Sequence, residues 1–244
     1  MTKNAYGVDI SKWNNKPDTP QMVDFDKMKA RGVEFIFMRA TYGTGKDRDF
    51  LRNWKVAKEA GLLRGAYHYH LFEYDPLPQM NAFLESFDGD YGELPPVFDV
   101  EREGIESKDR KTVLSVIWAC MDIIKQRTNQ KPIFYSNVDV IKNFLTSPVS
   151  GIPAWLLDYD LWIANYGVKK PNTGLWSTWK FWQFTDREDG IAHGAESKQI
   201  DANLYNGSLT DLKMYYGLMK KSPMYLLRET YHRIWERREI RGYK

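Results

Sequence analysis

Short, largely apolar runs of four to six residues recur along the chain. They are Tyr6–Ile10, Phe35–Ala40, Gly65–His70, Pro96–Val100, Pro132–Tyr135, Leu161–Ala164, Lys180–Phe184 and Gln199–Leu204. Runs of this length bounded by turn residues predict strands. Between the early runs the apolar positions recur at helical spacing instead. Val23–Arg31 precedes the second run, Phe50–Ala60 the third, Pro78–Phe87 the fourth and Asp109–Thr128 the fifth, with Gly61 as a helix stop. A shorter helical pattern, Val138–Thr146, follows the fifth run, and beyond it Pro, Gly, Asn and Thr replace the periodicity. Strand–helix alternation predicts an α/β fold with a parallel sheet, and eight such strands suggest a closed barrel. Because the last three strands lack full helices, the expectation is a modified TIM-like barrel with about five helices. It forms a single domain with a short C-terminal extension.

In such barrels chemistry gathers at the C-terminal ends of the strands. The polar residues there are Asp9 on the first strand, Arg39 on the second and Tyr67 or His68 on the third. Asp99 and Glu101 end the fourth, Tyr135 ends the fifth, Trp162 lies on the sixth, Gln183 on the seventh and Asp201 on the eighth. Strands one and eight are neighbours in a closed barrel, so four carboxylates are expected to converge. Asp99 and Glu101 follow the apolar run Leu94–Pro95–Pro96–Val97–Phe98. Strand alternation turns both to one side, roughly 6.5–7 Å apart. Two carboxyls that close raise each other's cost of ionising, so one tends to keep its proton. That pairing suits glycosidic-bond cleavage, which needs an acid for the leaving oxygen and a negative charge near the developing cation. Two acids on a solvated strand end are the bland alternative.

Composition permits a carbohydrate reading. The 244 residues include 9 Trp, 15 Tyr and 12 Phe, whose faces suit sugar rings but also fill cores. The single Cys120 sits in an apolar helical stretch and reads as a buried small side chain. No run approaches the ~18 apolar residues of a membrane span, and Met1–Gly7 has no apolar leader. Charge is uneven. From Leu212 onward nine Lys and Arg face three Glu, which leaves residues 1–211 at −3 within a total of +3. The composition breaks near Asp211, dividing a barrel of residues 1–210 from a basic extension, 211–244. Apolar residues in Met214–Leu218 and Tyr225–Trp235 fall at roughly helical intervals, broken at Pro223. The extension is expected to be helical, packed on the barrel or in electrostatic contact with an anionic cell wall or membrane. With the basic charge confined there, nucleic acid is not an expected partner.

The ordered motifs resemble glycoside hydrolase family 25, the muramidase lysozymes of bacteria, fungi and phages. Gly7-Val8-Asp9-Ile10-Ser11-Lys12-Trp13 resembles the family's opening, and Phe35–Thr41 with Gly43-Thr44 its second strand. Gly65-Ala66-Tyr67-His68 resembles the third strand and Pro96-Val97-Phe98-Asp99-Val100-Glu101 the catalytic fourth. Phe134-Tyr135-Ser136, Leu161–Tyr166, Phe181–Phe184 and Ile200-Asp201-Ala202-Asn203 continue in order, so the resemblance covers about residues 5–207. It implies a (β/α)5(β)3 barrel that hydrolyses the β-1,4 bond between N-acetylmuramic acid and N-acetylglucosamine in peptidoglycan, without a cofactor. It implies Glu101 as general acid/base and Asp99 as the residue that orients the substrate's 2-acetamido group. Asp9 and Asp201, with Arg39, Tyr67, Tyr135, Trp162 and Gln183, are implied in holding the glycan. The family's second strand usually reads Lys-Ala-Thr-Glu-Gly; here Arg39-Ala40-Thr41-Tyr42-Gly43 swaps a point charge for a fork and removes an acid. A leaderless chain with a wall substrate suggests a phage endolysin. Such an enzyme is made in the host cytoplasm and acts at the wall after holin-dependent release or as part of a virion.

Two rival readings remain. His68 and His70 form His-x-His on one strand, and with Asp201 they begin a metal site of a barrel hydrolase. A barrel that binds peptidoglycan without cutting it is the other, which the presence of Glu101 disfavours. Tyr42-Gly43-Thr44-Gly45-Lys46 lacks the upstream glycine of a phosphate loop.

Overall fold

The structure is a computed structural model that describes residues 3–17 and 22–219. Eight strands close into a mixed barrel: β1 (Tyr6–Ile10), β2 (Phe35–Tyr42), β4 (Leu63–Tyr69), β5 (Val97–Val100), β6 (Ile133–Asn137), β7 (Leu161–Ala164), β8 (Phe181–Asp189) and β9 (Gln199–Tyr205). A two-residue strand, β3 (Gly45–Lys46), folds back on β2. From β1 round to β8 the pairings are parallel, while β9 runs antiparallel to both β8 and β1. The fold is the modified barrel expected, and the reversed β9 departs only from the parallel sheet that strand–helix alternation predicts. The connection from β8 to β9 is a hairpin-like return and not a helical crossover, so β9 must run the opposite way.

The helices are α1 (Phe25–Ala30), α2 (Phe50–Glu59), α3 (Pro76–Glu85), α4 (Arg110–Thr128), α5 (Val138–Val140), α6 (Ala154–Leu157) and α7 (Leu209–Tyr215). Asp24, Asp75 and Asp109 cap the first turns of α1, α3 and α4 with their carboxylates. The expected helix over 138–146 is a single turn of α5 continued by a π turn, Ile141–Leu145. α6 was not expected as a separate element, and α7 begins two residues before the extension that was expected to be helical.

Alternation along the strands sorts two apolar layers. Val8, Ile36, Met38, Ala66, Phe98, Phe134 and Ile163 face outward and pack under the helices. Phe35, Phe37, Val97, Ile133, Trp162, Phe181 and Tyr205 fill the barrel interior. Phe37 stacks on Trp162 at 4.3 Å and meets Phe181 edge-on at 5.0 Å. Gly65 makes room for this layer, because a Cβ there would lie 2.3 Å from the Phe37 ring. The antiparallel β9 delivers the chain to the lower mouth, where Leu212 of α7 joins the interior layer and Tyr216 stacks on Phe181. α7 thus crosses residue 210, where the composition breaks. The remainder of the extension, 220–244, lies outside the described residues.

Candidate active site

Above the interior aromatics, the upper ends of the strands turn polar side chains inward. On β1 the residue two places beyond Gly7 is Asp9, and on β2 the residue two beyond Phe37 is Arg39. The same step leads from Val97 to Asp99 and Glu101, from Ile133 to Tyr135 and from Phe181 to Gln183. All nine residues expected at the site line one groove of about 230 Å³: Asp9, Arg39, Tyr67, Asp99, Glu101, Tyr135, Trp162, Gln183 and Asp201. Asp201 arrives by a different route from the one expected. It lies near the start of β9, opposite Asp9 in register, and reaches the upper mouth because that strand is reversed.

Ser11, Trp13, Tyr69 and Tyr166 complete the lining and were not singled out from sequence. Tyr69 was accessible to the alternation argument, being two residues beyond Tyr67. Trp13 sits on a 3₁₀ turn, Lys12–Asn14, and is 72% exposed at the rim. No periodicity marks a residue on such a turn.

The choice between Tyr67 and His68 is resolved by the same alternation. Tyr67 and Tyr69 face the groove, whereas His68 and His70 face the helices and are fully buried. His68 Nδ1 lies 2.7 Å from Thr41 Oγ1 and its Nε2 lies 3.3 Å from His70 Nδ1. The rings pack on Phe83, Phe98 and Phe72. Asp201 stands on the other side of the sheet, so the constellation needed by the metal reading is split between two layers.

The groove floor is a hydrogen-bonded network. Asp9 Oδ2 accepts from Gln183 Nε2 at 2.7 Å and Asn203 Nδ2 at 2.8 Å. Gln183 Oε1 accepts from the hydroxyls of Tyr135 at 2.9 Å and Tyr166 at 2.6 Å. Trp162 Nε1 donates to Asn203 Oδ1 at 2.8 Å; with its ring packed between Phe37 and Tyr135, it serves as floor. Asp47 accepts from Arg39 Nη2 at 3.0 Å and Nε at 3.1 Å, and from the backbone of Lys12 at 2.9 Å. That fixes the guanidinium beside the acids.

Four acids, Asp9 and Asp99 buried and Glu101 and Asp201 half-buried, share this small volume, and loss of solvent is the leading reason each resists ionising. Asp201 is pushed up to about 8 by burial and then by the charge of Asp9. Asp9 is also raised by burial, opposed by bonds from Asn203 and Gln183, so Asp9 is the better holder of the charge. Asp99 is held well above the carboxylate range by burial, then by Glu101 and Asp9, with Arg39 opposing. Its Oδ1 is buried without a hydrogen-bond partner. Glu101, just beyond β5 and half-buried, is raised by burial, Asp9 and Glu103. An acid, a nearby carboxylate and aromatic walls therefore meet where a sugar ring can enter.

The sequence profile described as Glycosyl hydrolases family 25 matches residues 8–192. The chain belongs to this family. It is 33% identical to the uncharacterised protein YegX of Escherichia coli O6:H1 over 225 residues, spanning 89% of this chain and 75% of that one. It is 27% identical to lysozyme M1 of Streptomyces globisporus, spanning 86% and 71%. The solved CTP1L endolysin superposes with a TM-score of 0.72 at 26% identity, covering 91% of this chain and 71% of that one. As a family 25 member the protein is a glycoside hydrolase of the lysozyme type.

Proposed function

We propose that this family 25 enzyme is an N-acetylmuramidase that cuts the β-1,4 bond between N-acetylmuramic acid and N-acetylglucosamine. The observation that supports this most is the placement of Asp99, on β5, and Glu101, just beyond it, in one groove walled by tyrosines. Glu101, the more exposed of the two, protonates the leaving glycosidic oxygen. Asp99, deeper and with an unpartnered oxygen, accepts the N–H of the substrate's 2-acetamido group. That bond stabilises the Asp99 carboxylate, so substrate binding favours the proton on Glu101. The acetamido carbonyl oxygen then attacks the anomeric carbon as the C–O bond breaks. Water opens the resulting ring while the Glu101 carboxylate takes its proton, which restores the starting state. Asp9, Asp201, Arg39 and the tyrosines hold the glycan around this centre.

The biological setting we read is bacterial cell lysis by a phage endolysin, acting at the wall after holin-dependent release or from a virion. The similarity to the CTP1L endolysin supports it. The deciding experiment is digestion of purified peptidoglycan, borohydride reduction and mass spectrometry of the new ends. Reduced muramic acid is expected. Reduced glucosamine ends, or free peptides alone, would overturn the bond assignment.

A further inference from the structure

A second aromatic hollow lies on the outside of the barrel, between α4 and the start of α6. Its volume is about 590 Å³, and it shares no lining residue with the groove. That size falls within the roughly 300–1,000 Å³ of small-ligand sites. Val113, Ile117, Cys120 and Ile124 turn the inner face of α4 to the core, which leaves Trp118 on the outer face, 54% exposed. Trp155, half-buried on α6, also lines the hollow, together with Leu114 and Pro153. Neither of these indole N–H groups has a hydrogen-bond acceptor among the described residues. Those of Trp54, Trp162, Trp176 and Trp182 are each bonded inside the fold. Arg110 fixes the hollow's shape. Its Nε donates to the Leu145 carbonyl at 2.8 Å and its Nη2 to the Gly151 carbonyl at 2.6 Å, on the segment that leads into α6. Lys111 lines the hollow without an ion pair among the described residues, and no acid lines it.

We propose that this hollow is a second glycan site, which holds a peptidoglycan strand apart from the groove that cuts it. The proposal rests on peptidoglycan being the substrate. A sugar ring offers an apolar C–H face to an indole ring, and its hydroxyl and acetamido oxygens accept from an indole N–H. An exposed tryptophan with a free donor suits both. The stem peptides of such a strand carry carboxylates, which the Lys111 ammonium and the Arg110 guanidinium complement. Charge also speaks against the chain's own segment 220–244 as the occupant, because that segment is basic and so is the hollow. A second copy packed face to face would bring the same cations together. A wall presents many strands at once, so a site outside the groove lengthens the enzyme's stay on it.

The test is pull-down on purified peptidoglycan stripped of its anionic polymers, in the Glu101→Gln background so that the wall is not digested. Adding Trp118→Ala should raise the apparent Kd about three- to tenfold, the scale of one lost aromatic stacking contact. Trp118→Tyr keeps an aromatic face and should bind as the Glu101→Gln protein does. Lys111→Gln should weaken binding at low salt and match it at high salt. Unchanged binding in Trp118→Ala overturns the proposal. So does binding lost together with melting temperature and not restored by Trp118→Tyr, which would mark a structural brace. A dimer in sedimentation that Trp118→Ala turns into a monomer would give the hollow to a second copy and overturn it. A melting loss in Trp118→Ala that vanishes once residues 222–244 are deleted would give it to that segment and overturn it too. Release of free peptides alone from the wall by the parent would remove the reading beneath. Reduced muramic acid ends from the parent, with unchanged binding in Trp118→Ala, would remove this proposal alone.

Discussion

Replacing the Glu101 carboxyl by an amide keeps its shape and takes away its proton, so Glu101→Gln isolates the acid step. Turnover should drop by about 10²–10⁴-fold, the usual reach of general acid catalysis, while circular dichroism stays that of the parent. Asp99→Asn should be comparably damaging, because its buried Oδ1 has no partner among the described residues and is the oxygen proposed to accept the acetamido N–H. Near-normal rates in a folded Glu101→Gln protein would take the residue out of the mechanism. The buried acids also set how stability responds to pH. Asp99 and Asp201 both hold protons in the folded state at pH values where the unfolded chain has released them. Their contribution is therefore fully present below the ordinary carboxylate range and lost as pH rises through the folded values, which for Asp201 is about 8. Asp201→Asn mimics the protonated form. At pH 8 it should melt about 2–4 °C higher than the parent, roughly a 1 kcal/mol gain in a domain of this size. The gap should close near pH 4. A lower melting temperature at pH 8 would mean that Asp201 is charged in the folded protein.

At the level of the strand, β4 shows how much a period of two decides. Its inward residues, Tyr67 and Tyr69, line the groove, while its outward His68, and His70 just beyond the strand, pack on Phe83 of α3 and on Phe72. Burial pulls His70 down to about 4, so it packs as a neutral ring beside Phe72 and Phe98. Activity should accordingly survive EDTA, measured as turbidity loss of a wall suspension. Loss in EDTA restored by zinc would revive the metal reading. The same period makes most of the groove lining legible in the sequence. Asp9, Arg39, Asp99, Tyr135 and Gln183 each fall two residues beyond an interior position on their strand. What stayed hidden came from outside that period. Strand direction is not written in an apolar run, so the reversal of β9, which brings Asp201 to the groove, was not foreseen. Trp13 depends on a 3₁₀ turn, and the grip of Tyr42 on Glu103 joins residues 61 positions apart. Neither leaves a pattern in a single strand.

Across the whole molecule the two mouths of the barrel differ in charge. The upper mouth gathers Asp9, Asp99, Glu101 and Asp201. At the lower mouth Lys3, Lys29 and Lys213 border a hollow together with Glu34. α7 closes that lower end, on the side away from the groove. The sequence that follows carries most of the nine Lys and Arg counted from Leu212. Bacterial walls hold anionic polymers, and attraction between such surfaces is screened over a Debye length of roughly 8 Å at physiological ionic strength. Neutralising Arg233, Arg237, Arg238 and Arg241 should therefore weaken binding to whole walls, most strongly at low salt. Hydrolysis of short soluble glycans should change little, because the proposed catalytic acids, Asp99 and Glu101, are untouched. If the segment instead braces the barrel through Leu227, Ile234 and Trp235, deleting residues 222–244 lowers the melting temperature and the charge-neutral protein binds walls as the parent does. Wall pull-down across a salt series, with melting curves for both variants, separates the two, and unchanged low-salt binding in the charge-neutral protein would end the adhesion idea.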